Sequence, residues 1–222
     1  MSDIIVLEND LLIGKGSGRA CYINPNDDTK VIKVIYSKEG ENNSQNEIDY
    51  KYINYLKKLN KNLSHIALCY EYVNTNLGDG LIFDRVLNYD KTPVKSFRYF
   101  IAKKLINLDT QKKLLDELNR YLKKEEILFI DNSSTNILCQ EVEKGKYKLV
   151  IIDGLGAKRV GFKFWLYLNS KLYIKYKIIK QWRKFIRSYN NDLKRTELNK
   201  NPITRFWMSN NHFIWDSYSD QP

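Results

Sequence analysis

Residues 127–138 read Ile127-Leu128-Phe129-Ile130-Asp131-Asn132-Ser133-Ser134-Thr135-Asn136-Ile137-Leu138, and residues 149–154 read Leu149-Val150-Ile151-Ile152-Asp153-Gly154. An apolar run delivers Asp131. Five residues later Asn136 opens a second apolar run. Asp153 ends a third and is followed by glycine. Phosphoryl transfer needs three groups of this kind. One carboxylate orients or deprotonates the attacking hydroxyl, here Asp131. An amide oxygen and a second carboxylate, here Asn136 and Asp153, hold Mg²⁺ against phosphate oxygens. Taken singly, each is an Asx-rich turn.

Upstream lie two further pieces in the order such chemistry requires. Gly14-Lys15-Gly16-Ser17-Gly18 falls between two strand-like segments. Glycine lets backbone N–H groups approach phosphates closely. A strand-loop-strand context disfavours the dinucleotide-binding and Walker A readings, which need a following helix. It leaves a phosphate flap or an ordinary glycine-rich hairpin. Lys33, in Val31-Ile32-Lys33-Val34, sits mid-strand among apolar residues and needs a charged partner. Nucleotide phosphate is one candidate partner. Glu47, fourteen residues on in a predicted helix, is the other, with Glu41 as substitute. Ser44-Gln45-Asn46-Glu47 also reads as a capping box. The expected nucleotide-contacting set is therefore Gly14, Gly16, Ser17, Gly18, Val31, Lys33 and Glu47.

The order of these pieces resembles the protein-kinase superfamily. More narrowly, the chain resembles the bacterial YrbL family (PhoP regulatory network protein). Gly16-Ser17-Gly18-Arg19-Ala20-Cys21-Tyr22-Ile23-Asn24-Pro25, Val31-Ile32-Lys33-Val34, Gln45-Asn46-Glu47, Gly80-Leu81-Ile82-Phe83-Asp84 and Val150-Ile151-Ile152-Asp153-Gly154-Leu155-Gly156 carry that likeness. It implies an α+β, bilobal protein-kinase-like fold, a small antiparallel sheet lobe (1–88) plus a helical lobe (89–222). It implies ATP and Mg²⁺ as cofactors, Lys33 on the α/β-phosphates and paired with Glu47, Asp131 as catalytic base, and Asn136 and Asp153 as metal ligands. Departures are equally visible. Phe129-Ile130 stand where protein kinases carry His-Arg, and Ser133 where they carry a phosphate-contacting lysine. Arg19 falls near the third expected glycine, Asp153-Gly154 lacks the intervening Phe, and no Ala-Pro-Glu follows. These gaps favour a non-protein acceptor such as a sugar, lipopolysaccharide or small molecule. A nucleotide-binding pseudokinase adaptor and an atypical protein kinase are the rivals.

Element by element, the sequence predicts strands over 4–13, 20–23, 30–36, 66–72, 80–86, 127–130, 137–141 and 147–152. It predicts helices over 44–59, 97–106, 110–123 with Asp109 as cap, and a long basic aromatic one over 165–190. Trp165, Leu168, Leu172, Tyr176, Ile179, Trp182 and Ile186 share one face of that last helix; lysines fill another. The plainer reading is a core-facing stripe with solvated lysines; the other is attraction to a membrane surface or acidic glycan.

The 222 residues, 43% hydrophobic, are enough for two small lobes round a core. A net charge of +11 suits polyanionic partners, or merely a lysine-solubilised surface. No base-reading module is visible, so nucleic acid is not expected. Three scattered cysteines without Cys-x-x-Cys disfavour a disulfide framework or zinc site and suit the cytoplasm. His65 and His212 lie far apart, and His65 reads as structural.

Overall fold

The computed structural model describes residues 4–16, 18–36 and 44–200. The first part is a five-stranded antiparallel sheet of β1 (Leu12–Lys15), β2 (Arg19–Asn24), β3 (Asp27–Ile35), β4 (Cys69–Thr75) and β5 (Gly78–Asp84), in the order β1-β2-β3-β5-β4. Helix α1 (Gln45–Lys58) crosses from β3 to β4. Strand period two sorts the side chains of β2 and β3. Ala20, Tyr22, Ile32 and Val34 pack on one face, whereas Val31 joins the main core on the other. Lys33 pairs in register with Cys21 and Leu81, on the Val31 side. The Asn24 side chain accepts from the Asn26 amide at 3.0 Å and fixes the β2–β3 turn.

The second part contains α2 (Phe97–Ala102), α3 (Leu108–Glu125), the hairpin β6 (Ile137–Glu143) with β7 (Lys146–Ile151), then α4 (Phe162–Asn169) and α5 (Lys171–Glu197). Leu114, Leu118 and Leu122 turn one stripe of α3 into the core. Asn107, rather than Asp109, caps α3, accepting from the Thr110 amide at 2.8 Å.

Of residues 4–13, expected as strand, only Leu12 and Ile13 belong to one; Ile5 makes a single bridge to Thr75 and Asn9–Leu11 is a 3-10 turn. Other expectations fail for identifiable reasons. Residues 127–130 are extended and buried but form no ladder. The Ile127 amide closes α3 on Leu122, the Leu128 amide goes to the Tyr52 hydroxyl, and Phe129 makes a single bridge to Leu155. The predicted 165–190 helix is two helices. Ser170 leaves helical geometry and its hydroxyl accepts from the Tyr173 amide at 3.4 Å, capping α5. The core stripe of α5 is consequently Ile174, Ile178, Phe185 and Tyr189. Leu172, Tyr176 and Ile179, expected to face inward, face solvent.

Tyr52 joins the two parts. It is fully buried, its ring packs on Phe164, and its hydroxyl accepts the Leu128 amide at 2.8 Å. Tyr52→Phe keeps the volume but strands that buried amide. Urea denaturation should show a loss of about 1–3 kcal/mol.

Candidate functional site

Three loops meet where β2 begins and where β3 and β7 end. The first is the segment from Asp131 to Asn136. The Asn136 side-chain amide donates to the Asp131 carbonyl at 2.8 Å and its carboxylate at 3.2 Å. The loop is also pinned from behind. Ser134 donates to Asp192 of α5 at 2.7 Å, and Arg98 of α2 reaches Ser134 at 3.1 Å, Ser133 at 3.3 Å and Asp192 at 3.3 Å. Asn132 donates to Gln181 of α5. Asp131 itself is left exposed at the surface of this braced loop.

The second loop is the turn after β7. The amides of Ile130 and Asp131 both donate to the Gly154 carbonyl, at 2.8 and 3.0 Å. Gly154 has φ +83°, and a Cβ there would stand 2.7 Å from the Asp131 carbonyl oxygen. Only glycine permits this approach. Asp131, Asn136 and the Asp153-Gly154 turn are thus brought together.

The third is the glycine hairpin. Gly14 lies within β1, which ends at Lys15, and the Gly16 amide donates to the Arg19 carbonyl at 2.8 Å. Among the described residues, a Cβ on Gly16 would meet only that oxygen, at 3.7 Å. The Tyr36 amide donates to Gly18 at 3.1 Å, and its hydroxyl donates to the Gly16 carbonyl. Ser17 and Glu41 lie outside the described residues.

The charges at this junction are arranged differently from the sequence expectation. Lys33 is 8% exposed, and its ammonium donates to the Ile152 carbonyl at 2.6 Å while lying 4.2 Å from the Phe83 ring centroid. Among the described residues it pairs with no carboxylate. Glu47 faces outward, half-exposed, and binds Lys51 at 2.5 Å. The Ser44 capping box does not form either. The buried cation is Arg19, 6% exposed. One guanidinium nitrogen donates to Asp49 of α1 at 2.6 Å and to the Asn46 side chain at 3.0 Å. The other donates to Asp153 at 2.6 Å. Asn46 in turn donates to the Lys33 carbonyl at 2.9 Å.

Burial would raise the Asp153 carboxyl, but Arg19 and then Lys33 outweigh it and hold it at about 2. Burial pushes the Asp49 carboxyl up despite Arg19. One guanidinium shared by two carboxylates separates them, the more open Asp153 being the better stabilised anion.

Sequence reasoning missed Arg19, Asn46 and Asp49, although signals existed. Asp49 precedes Tyr52 by three residues and Ile53 by four, and so shares their buried face. Glu47 is displaced from Asp49 by about 200°. Arg19 alternates with Ala20 onto the same face as Cys21, which lies opposite Lys33. His65 is structural: its Nδ1 is 2.8 Å from the Leu149 carbonyl oxygen, and its ring packs on Tyr121.

Comparison with known proteins adds three findings. The family model of the PhoP regulatory network protein YrbL matches residues 5–190. The uncharacterized protein YrbL of Escherichia coli (strain K12) and that of Shigella flexneri are each 26% identical over 155 residues, covering 69% of this chain and 74% of theirs. Among solved structures, the crystal structure of Rad53 1-466 in complex with AMP-PNP matches with a TM-score of 0.52 at 14% identity, over 92% of this chain. The chain spans about half of that structure's length, 54%. That likeness shows a bilobal kinase-like fold.

Arg19→Met should destabilise the protein by about 3–5 kcal/mol in urea, because it leaves buried Asp49 without its cation. Glu47→Ala should stay within about 0.5 kcal/mol. The Arg19–Asp153 link has a depressed folded pKa. Its contribution is present above the ordinary carboxylate value near 4 and is lost as pH falls toward about 2. A pH series of Tm on both proteins reads this difference.

Proposed function

This chain belongs to the family of the PhoP regulatory network protein YrbL, and on that premise we propose a kinase-like phosphotransferase that binds ATP with Mg²⁺ and phosphorylates a hydroxyl of a non-protein acceptor. A sugar, a lipopolysaccharide or a small molecule fits the acceptor class. The observation that carries the reading is the closure of Asp131, Asn136 and Asp153-Gly154 on one another, beneath a glycine hairpin and beside the Lys33 ammonium.

The donor set suits Mg²⁺. Side-chain oxygens of Asn136 and Asp153 are hard ligands, and the Asn136 amide nitrogen is spent on Asp131, which leaves its oxygen available. When bound, the ion would neutralise phosphate charge. The protein's own groups supply the rest. The open space at Gly16 admits phosphate to the hairpin backbone, with Gly14 and Gly18 on either side of it, and Ser17 stays in the proposed nucleotide-contacting set from sequence alone. Val31 lies on the site-facing side of β3 beside Lys33. Lys33 is poised for the α/β-phosphates once it leaves the Ile152 carbonyl. Asp131, exposed and held by Asn136, accepts the acceptor hydroxyl's hydrogen bond and takes its proton. The helix carboxylate facing the site is Asp49, with Glu47 on the outer surface.

A non-protein acceptor is favoured by what surrounds Asp131. Phe129 and Ile130 are buried in the core at 3% and 7% exposure, where protein kinases place a polar pair. The Ser133 hydroxyl is engaged by Arg98 and Thr135, so it braces the loop. The cytoplasm, where ATP is held, is the compartment this activity suits. Among the described residues, no helix is long and apolar enough to cross a membrane.

The Arg19–Asp153 contact supports a second reading, a nucleotide-binding adaptor without turnover, because a guanidinium already occupies one oxygen of the carboxylate. Thermal shift with AMP-PNP, with and without Mg²⁺, together with ATP turnover, separates the two. At a hundredfold excess over Kd, binding contributes about 2.7 kcal/mol, which is several degrees in Tm. The enzyme reading expects a Mg²⁺-dependent shift abolished by Lys33→Met and Asp153→Asn. Asp131→Asn should keep the shift and lower turnover by about 10²–10⁴-fold. A shift indifferent to Mg²⁺, with no turnover on a panel of sugar and lipopolysaccharide acceptors, would establish the adaptor.

A further inference from the structure

The solvent side of α5 bears a second apolar stripe. Leu172, Tyr176 and Ile179 are 83%, 56% and 44% exposed and follow i, i+4, i+7 spacing. Arg183 and Arg187 continue the same line and are exposed. The stripe that packs inward, Ile174, Ile178, Phe185 and Tyr189, has the same spacing two residues later. The two stripes therefore lie about 200° apart, on opposite sides of the helix. On α4, Phe162 and Trp165 are 74% and 56% exposed and stack with ring centroids 5.7 Å apart. From residue 154 to residue 191 the chain has ten Lys and Arg and no Asp or Glu.

Solitary exposed apolar residues are ordinary, but an ordered stripe continued by arginines is not. Charge and shape together choose the occupant. A second copy of the chain would bring two wholly cationic faces together, which is repulsive. A polar polyanion such as an acidic glycan or RNA would use the arginines but would gain little from Leu172 or Ile179. An anionic bilayer surface uses both: apolar and aromatic side chains enter the headgroup–acyl boundary while cations meet lipid phosphates.

We propose that the outer face of α4 and α5 docks this protein on an anionic lipid surface, with Trp165, Leu172, Tyr176 and Ile179 inserting and Arg183 and Arg187 binding headgroup phosphate. This inference stands apart from the phosphotransfer reading, since it uses none of the residues round Asp131 and Asp153.

The test is co-sedimentation of the full chain with vesicles of phosphatidylethanolamine and phosphatidylglycerol, against phosphatidylcholine alone. Binding is expected on the anionic vesicles only, falling steeply with added salt. The double variants Leu172→Ser/Ile179→Ser and Arg183→Ser/Arg187→Ser should each weaken it by about tenfold or more, with unchanged Tm because the sites are exposed. Several outcomes would overturn the proposal: no binding to anionic vesicles, equal binding to phosphatidylcholine, or indifference to the apolar variant. A fall from dimer to monomer in that variant would assign the face to a second copy. Lipid binding lost on removing 201–222, yet kept by both double variants, would assign it to the tail. Binding of soluble acidic polysaccharide or RNA, lost with the arginines and kept without Leu172 and Ile179, would assign it to a polar polyanion.

Discussion

A buried guanidinium must be matched by anions, and Arg19 sets that requirement at the centre of this fold. Stripping a cation of water costs several kcal/mol after relaxation, so the surrounding chain must deliver carboxylates at hydrogen-bond distance. Asp49 comes from the inner face of α1, and Asp153 from the turn after β7. They bind different terminal nitrogens of the same guanidinium. One side chain therefore fixes the rotation of α1, the position of the glycine hairpin from which β2 departs, and the placement of the Asp153-Gly154 turn. Asn46 extends the constraint to the β3 backbone at Lys33.

The parts of this site that were readable from sequence are those whose geometry is local. Asp131 and Asn136 are five residues apart, and a turn of that length brings a side-chain amide back onto its first residue. Gly154 was readable as a glycine after an apolar strand, and the structure adds why: Asp131 occupies the space a side chain would need. The partnership across the cleft was not readable in the same way. Lys33 and Glu47 were matched by type and order, but a helix presents residues 47 and 49 on opposite faces. Choosing between them required weighing which lies with Tyr52, Ile53 and Leu56. Motif spacing alone sets Arg19 near the third expected glycine and assigns it no partner. Strand alternation would have placed it beside Lys33, inside the site.

The C-terminal helices show a different limit. A single 3.6-residue phase drawn through 165–190 merges the inward residues Trp182 and Ile186 with the outward Leu172, Tyr176 and Ile179. All five lie in α5, beyond the Ser170 cap, and which of them turn inward is set by the packing of α5 on α2, α3 and α4. Periodicity identified the helix as amphipathic but could not say that it carries apolar residues on two sides. That distinction needs the tertiary contact, here Phe185 and Tyr189 against Phe129 and Phe97.

The Arg19 fork also bears on how a metal ion and nucleotide could enter without unfolding the site. Its two terminal nitrogens serve different carboxylates. Asp49 is nearly inaccessible, at 7% side-chain exposure, whereas Asp153 is 37% exposed. The costly half of the network is therefore the Arg19–Asp49 pair, which solvent cannot replace. The Asp153 half borders water, so on the proposed reading Asp153 would hold a divalent cation through its open side, and Arg19, a planar donor suited to phosphate oxygens, would stay anchored by Asp49. The residue that ties the start of β2 to the turn after β7 would then also be the one placed to meet an anion there, with Asp49 holding it in position.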